Sequence, residues 1–355
     1  MAFRPYLCIS LCFATLVFMS SAFSSETLTL PVETVSSIGL GVWIENIAVR
    51  SCGCILAVGL TPNIFQINPH GDSAAQIIHS FPAPVTAITG LTETFPDIWY
   101  FSTGNVTNNT QTPTPGSMSV WEADFTDVSC SSRHGRRNPS VRKVADVQDA
   151  GILDGTTTLS SERGLLLVSD AKLGLVWRVD INTGEATQIL NTPDMKAIPG
   201  RIPPIGVNGV HVRNGDLYFT NTDHSTVWRL PLQPDGSAAG TAEVVGYGLG
   251  GTLDDFAMDD VDNIYVAMNA TGLVFVPVDD SKPSTLLAGG DQSTALLGIT
   301  GAAFGRTTFD RGVLYMGTTG GSFNYFSGNF TRPGGVSKID LRTSGYWNSG
   351  STGAF

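Results

Sequence analysis

The chain has 355 residues, 40 of them glycine, with 42% hydrophobic and only 14% charged residues. That balance speaks against a disordered or coiled-coil chain and suits a turn-rich β protein, long enough to close as one large domain. The net charge of −11 speaks against a nucleic-acid partner, since such binding neutralises phosphates with Lys and Arg.

Residues 1–22 read as a secretory signal peptide. Arg4 supplies the positive start, Tyr6 to Phe18 a mostly apolar run, and Ser20-Ser21-Ala22 the small residues of a cleavage site. Ala22-Phe23-Ser24 is a second cleavage point, and an anchoring helix is the alternative, although the apolar run is short for a membrane span. Cleavage after Ala22 leaves 23–355 as a single domain in the secretory pathway, with no membrane attachment. Four sequons, at Asn105, Asn108, Asn269 and Asn329, are then candidate glycosylation sites on surface loops. Cys52, Cys54 and Cys130 remain in the mature chain; a disulfide from Cys130 to either Cys52 or Cys54 is expected in an oxidising compartment. Zinc held by Cys and His is not expected, because no cluster completes four ligands.

The mature chain opens with a polar lead to about Ser37, and repeats follow. The first carries strands at Trp43–Val49, Ile55–Val58 and Ile64–Ile67. The second has Val85–Leu91, Ile98–Phe101 and Ser119–Ala123, interrupted by an Asn-, Thr- and Pro-rich loop from Thr103 to Gly116. A basic stretch, Arg133 to Arg142, reads as an exposed loop. The third repeat runs from Gly151 through Leu165–Val168 to Val176–Asp180. The fourth is Gly206–Asn221, in which Val207, Val210 and Val212 face Leu217, Tyr218 and Phe219 across Asn214-Gly215, continued by Val227–Leu230. Asn-Gly is the strongest short hairpin signal, because both turn residues take positive φ. The fifth passes through Asn263–Ala267 to Gly272–Val276, and the sixth through Val313–Met316 to Gly335–Ile339. Six units of short strands, spaced by roughly 45 to 65 residues with no helical periodicity, predict an all-β fold, a six-bladed β-propeller.

The innermost strand of each blade lines a central channel, so a residue at the same point of each repeat faces the same end of it. Alignment on that strand gives Glu45-Asn46, Thr89-Gly90, Asp154-Gly155, Asn208-Gly209, Asp254-Asp255 and Thr300-Gly301. Each first member offers oxygen. Three carboxylates and an asparagine at one point need compensation by a divalent cation, by protonation, or by hydrogen bonds from a ligand. The plain alternative is a ring that ties strand ends together and holds water. His211, three residues past Asn208, falls on the opposite face by alternation and is expected to pack between blades.

The segments Trp43–Arg50 with Asn63–Pro69, Gly206–Val210, Asp254–Asp259 with Asn263–Ala267, and Ala303–Thr307 with Leu314-Tyr315 resemble the six-bladed propellers of the gluconolactonase and senescence-marker-protein superfamily. They are most similar to its fungal secreted branch. The resemblance implies a divalent cation, Ca²⁺ or Zn²⁺, on Glu45, Asn208 and Asp254. The position of a usual third-blade asparagine is Asp154 here, and a usual fifth-blade Asp-Gly is Asp254-Asp255. Both departures add negative charge.

The fungal branch also includes propellers similar to hetero-Diels–Alderases of secondary metabolism, which join a reactive quinone methide to a terpene alkene. Such a cyclase needs no cofactor and takes largely apolar small molecules. Asn208, Thr89, Thr300 or a protonated Asp254 donates to the enone oxygen, and Trp43 and Phe256 offer an aromatic wall. The alternatives are a metal-dependent lactonase, in which Asp254 or Asp154 activates water, and a propeller that only binds a small molecule. No Ser-His-Asp order or nucleophile elbow is visible.

Overall fold

The computed structural model describes residues 29–107, 112–130, 138–269, 272–279, 281–290, 296–321, 328–329 and 332–347. The expected leader, Asn108 and residues 133–137 of the basic stretch lie outside them; its last residues are not loop but open the strand Ser140–Asp146 at the outer edge of the second blade. Six four-stranded antiparallel sheets form the body. The first holds Ile44–Val49, Ile55–Gly59, Thr61–Ile67 and Gln76–Ser80. The inner strands of blades two to six are Ala87–Phe95, Leu153–Ser160, Val207–Arg213, Leu253–Met258 and Ile299–Phe304. Each inner strand contacts the next, and the sixth contacts the first, so the sheets close into the six-bladed propeller.

The fourth blade shows why these residues form these elements. Val207–Arg213 and Asp216–Asn221 pair antiparallel, with Asn214 at φ 53° and Gly215 at φ 87° in the turn. Those are the positive angles a two-residue hairpin takes to match strand twist. Apolar residues alternate inward and meet those of the neighbouring blade. Leu56 packs with Phe101 between blades one and two, and Val227 with Phe256 between blades four and five.

Hydroxyl groups add a second tie between blades. Thr89 Oγ1 donates to the Leu153 carbonyl (2.6 Å), Thr220 Oγ1 to that of Asp254 (2.8 Å) and Thr300 Oγ1 to that of Ile44 (2.8 Å). Each bond joins a hydroxyl of one blade to an inner-strand carbonyl of the next.

Two features differ from the sequence reading or narrow it. The polar lead is not free: Glu33–Leu40 pairs antiparallel with Pro333–Asp340 as the outermost strand of the sixth blade. Its alternation is faint because an outer edge strand buries little; Val35 and Ile38 only flank the core. Of the two pairings expected for Cys130, Cys52 makes the disulfide, and Cys54 is a buried free thiol, pushed up to about 12 by burial.

Candidate active site

Every inner strand carries a β-bulge or register shift at the aligned dipeptide, for example between Val207 and Val210 and between Leu253 and Phe256. A bulge re-aims side chains and tightens local twist. The first member of each pair thereby lies at the channel's head, where the inner strands begin. The second member lies where the strands crowd the axis. A Cβ on Gly90 would sit 2.0 Å from the Asp154 carbonyl oxygen, and one on Gly209 2.4 Å from Asp255 Oδ1. Glycine at these points is a steric requirement.

The two exceptions, Asn46 and Asp255, fill the space the glycines leave. Asn46 Nδ2 donates to Asp255 Oδ2 across the axis (2.7 Å), and His211 Nε2 lies 3.0 Å from Asp255 Oδ1. This bridge links blades one, four and five beside the ring. His211 was expected to pack between blades; it does stand edge-on to Phe256 of the next blade at 4.5 Å, but its side chain is 38% exposed and its Nε2 turns to Asp255, because the register shift between Val207 and Val210 breaks the alternation.

Beside the bridge lie Glu45, Asp154, Asn208 and Asp254. Asp154 and Asp254 are each 7% exposed and Asn208 6%. Burial lifts the Glu45 carboxyl to about 7; Asp255 adds to the rise and the hydrogen bond from Trp43 Nε1 opposes it. Burial pushes Asp154 well above the carboxylate range, with Glu45, Asp255 and Asp170 adding like charge. Asp254 is raised in the same way, by burial first, then by Glu45 and Asp154, against a lowering bond from Asn269. Burial and like charge thus oppose the ionisation of all three acids at once.

The fold places several expected site residues elsewhere. Thr89 and Thr300 remain aligned, but their hydroxyls are the inter-blade ties described above. Phe256 is fully buried between blades four and five, two residues past the bulge, and is no wall of the ring. Trp43 is buried too, and its indole holds Glu45. Asn208 donates Nδ2 to Thr222 Oγ1 (3.1 Å), whose own proton goes to the Leu253 carbonyl (2.6 Å). That chain fixes the amide, so Asn208 presents an acceptor, Oδ1, which is buried without a partner.

Asn269 was expected on a surface loop, as a glycan acceptor. Its Nδ2, the atom a glycan would modify, donates to Asp254 Oδ2 (3.1 Å). Its equivalent in blade four is Thr222, which holds Asn208. Aligning the repeats on the second strand as well as the first would have found both.

Oxygen donors of this kind suit a hard cation such as Ca²⁺ better than Zn²⁺. The unpartnered Asn208 Oδ1 fits such an ion. The carboxylates are set wider. Among the described residues, the one trio of His, Cys, Asp or Glu with ligand atoms all within 4.8 Å is Cys52, Cys54 and Cys130, two of them in the disulfide.

A group whose folded pKa is raised contributes stability that is present below its unfolded value and lost as pH rises through the folded one. For Glu45 that window runs from 4.5 to about 7. The melting temperature is therefore expected to fall between about pH 5 and about pH 8, and Glu45→Gln to flatten the fall. A melting temperature that rises over this range contradicts the protonated ring.

Fold and site together define a six-bladed β-propeller with an acid-and-amide ring at the head of a bridged channel. Luciferin-regenerating enzyme shares the fold, with a TM-score of 0.60 and 13% identity over 88% of this chain and 96% of that one. So does regucalcin of Agrobacterium tumefaciens, described as a calcium-binding protein, with a TM-score of 0.55 and 13% identity over 88% and 94%. So does the allergen Mala s 1 of Malassezia sympodialis, with a TM-score of 0.61 and 13% identity over 88% and 97%.

No family model matches the chain. In sequence it is similar to a protein of Sarocladium schorii named hetero-Diels–Alderase, 27% identical over 325 residues, 83% of this chain and 79% of that one. A Phoma protein of the same name is 25% identical over 343 residues, 85% of this chain and 93% of its own. The chain thus resembles proteins named hetero-Diels–Alderase in sequence and regucalcin-type propellers in fold.

Proposed function

We propose that this chain is a cyclase of hetero-Diels–Alder type, joining a quinone methide to a terpene alkene at the ring. The observation that carries the reading is that burial and mutual like charge raise the ring's acids well above the carboxylate range, in a chain similar to proteins bearing that name. A protonated Asp254 donates to the enone oxygen and lowers the barrier by drawing electron density from the heterodiene. Asn269 holds Asp254 Oδ2, which leaves Oδ1 to carry that proton. The step forms a carbon–carbon and a carbon–oxygen bond, breaks no σ bond and needs no co-reactant. Holding the two reactants together supplies the rest of the acceleration. Large apolar side chains stand on links at the ring's end, Ile202 at 95% and Tyr247 at 78% exposure, and offer a collar for apolar reactants.

A second reading, a metal-dependent lactone hydrolase, rests on the unpartnered Asn208 Oδ1. In it Glu45, Asn208 and Asp254 hold the ion, which polarises the lactone carbonyl when bound. The test is turnover in chelator. A quinone methide generated in the presence of a terpene alkene is expected to give one enantiomer in excess over the spontaneous racemate. Racemic product in chelator, with lactone hydrolysis that returns on adding Ca²⁺, overturns the cyclase in favour of the hydrolase. With neither activity, the propeller only binds its ligand.

We further propose that the chain enters the secretory pathway through residues 1–22 and is glycosylated at sequons away from the ring.

A further inference from the structure

Away from the ring, one cluster of nucleophilic side chains stands outside the proposed chemistry. The sulfurs of Cys52, Cys54 and Cys130 all lie within 4.8 Å of one another. Cys52 and Cys130 are bonded, and Cys54 is a free thiol, 1% exposed. Its Sγ donates to the Cys130 carbonyl (3.5 Å), so it rests against the residue at the far end of the disulfide. A thiolate beside a disulfide can displace one sulfur and bond to the other.

Neither side of the cluster relies on the disulfide for its position. Cys52 and Cys54 sit in the turn between the first two strands of blade one. There the Arg50 amide donates to the Cys54 carbonyl and the Gly53 amide to that of Arg50, both at 2.8 Å, with Gly53 at φ 90°. On the other side, side chains of blade one hold the stretch from Phe125 to Cys130. Arg50 Nη2 donates to the carbonyls of Phe125 (3.0 Å) and Val128 (2.9 Å), Gln66 Nε2 to that of Ser129 (3.1 Å) and Asn68 Nδ2 to that of Cys130 (3.4 Å). None of these bonds involves a sulfur, so both backbones keep their places whichever cysteine Cys130 holds.

Burial keeps the proton on Cys54, pushing the thiol up to about 12; Arg50 opposes the rise and Asp97 adds to it. His70, whose ring flanks Gly53, turns its Nε2 to Asp310 (3.1 Å). The thiol is therefore quiet at neutral pH and gains reactivity in alkali, since the thiolate is the nucleophile.

We propose that Cys54 is the attacking group of an internal disulfide exchange that frees Cys52. Cys54 gives its proton to hydroxide, and its thiolate bonds to Cys130 Sγ. The Cys52–Cys130 bond breaks, its electron pair leaves on Cys52 Sγ, and that sulfur takes a proton from water. One S–S bond forms as one breaks, so no oxidant or reductant is consumed. The two pairings differ in what they expose: a buried thiol gives way to one at the surface, where Cys52 lies. A surface thiol is open to electrophiles and to mixed disulfides. Cys52 is thus a modification site that the Cys52–Cys130 pairing masks. The cluster lies past the far end of the strand that follows Glu45, and the proposal does not rest on the cyclase reading.

The experiment incubates the full chain, never reduced, with iodoacetamide and locates the alkylated residue by fragmentation mass spectrometry. Cys52 is expected to take the label, with Cys54 and Cys130 left bonded to each other. The labelling rate is expected to rise about tenfold per pH unit from about pH 7 to about pH 10, as the Cys54 thiolate fraction does. Cys54→Ser, which removes the attacking sulfur, is expected to leave Cys52 unlabelled. Cys52→Ser, purified in air, is expected to carry a Cys54–Cys130 disulfide, so neither of these residues takes maleimide after unfolding. Label on Cys54, no label on the parent at about pH 10, or Cys52 labelled in Cys54→Ser at the parent's rate each overturns the proposal. So do free thiols at Cys54 and Cys130 in Cys52→Ser. Thermal melting checks that each variant folds; should Cys54→Ser unfold, Cys52→Ser carries the test with the parent.

Discussion

Asp254→Ala is expected to lower the cyclisation rate by about 10² to 10³-fold, the usual effect of deleting one preorganised hydrogen-bond donor. Asp254→Asn is the sharper variant. An amide keeps a donor of nearly the same shape and loses only acidity, so a cyclase should retain turnover to within about tenfold of the parent. A hydrolase that uses Asp254 as metal ligand or base loses the needed charge in both variants, and Asn is then as damaging as Ala. The pH profile has a sign that separates them as well. Asp254 is raised well above the carboxylate range, by burial first. Donation by the acid is present while the proton is held and lost as pH rises through the folded value. Base or ligand chemistry gains over the same interval. Steady-state rates for the three proteins across that interval decide the matter: a cyclisation rate that climbs with pH, or an Asn variant as slow as Ala, removes Asp254 as the donor.

Arg50→Ala is expected to destabilise the propeller by about 3–5 kcal/mol, the cost of breaking a buried pair from one side. Arg50 is 1% exposed and joins the first two blades. Its Nε meets Asp97 (2.8 Å), Nη1 meets Gln66 Oε1 (2.9 Å), and Nη2 meets the carbonyls of Phe125 (3.0 Å) and Val128 (2.9 Å). The guanidinium also lies 5.1 Å from the Phe125 ring centroid. Arg50→Lys keeps the charge but not the planar fork, and falls between parent and Ala. Urea unfolding measures the series. Asp97→Asn added to Arg50→Ala should recover part of the loss, because no carboxylate then remains uncompensated. If the double variant is less stable than the sum of the singles, the pair is not the source of the cost.

The architecture was legible because each blade announces its hairpins locally. Asn214-Gly215 needs nothing distant to turn, and alternating valines need only a core to face. The ring was legible because repetition places Glu45, Asp154, Asn208 and Asp254 at one height. Their partners were not, since a side-chain bond between Asn46 and Asp255 joins positions 209 residues apart. The glycines came closest to revealing it: where four of six strands forgo a side chain, the other two have room to meet. Asn269 was misplaced for a different reason. Its sequon is a local pattern, whereas its bond to Asp254 depends on where the second strand ends. Thr89 and Thr300 share the ring's alignment but turn to the next blade's carbonyls, a choice made by packing that residue type does not reveal. Phe256 was placed beside Asp254 by sequence, but the bulge between them sends it to the core.

The sixth blade has an outcome in time as well as space. Glu33–Leu40 waits for Pro333–Asp340, with Glu33 opposite Lys338. A ribosome adding about 5–20 residues per second makes the partner some 15 to 60 seconds after the waiting strand. Throughout that interval the nascent chain carries an unpaired edge, open to pairing with a neighbour on the same message. The clasp that completes the ring is thus also where synthesis leaves the chain longest exposed to mispairing.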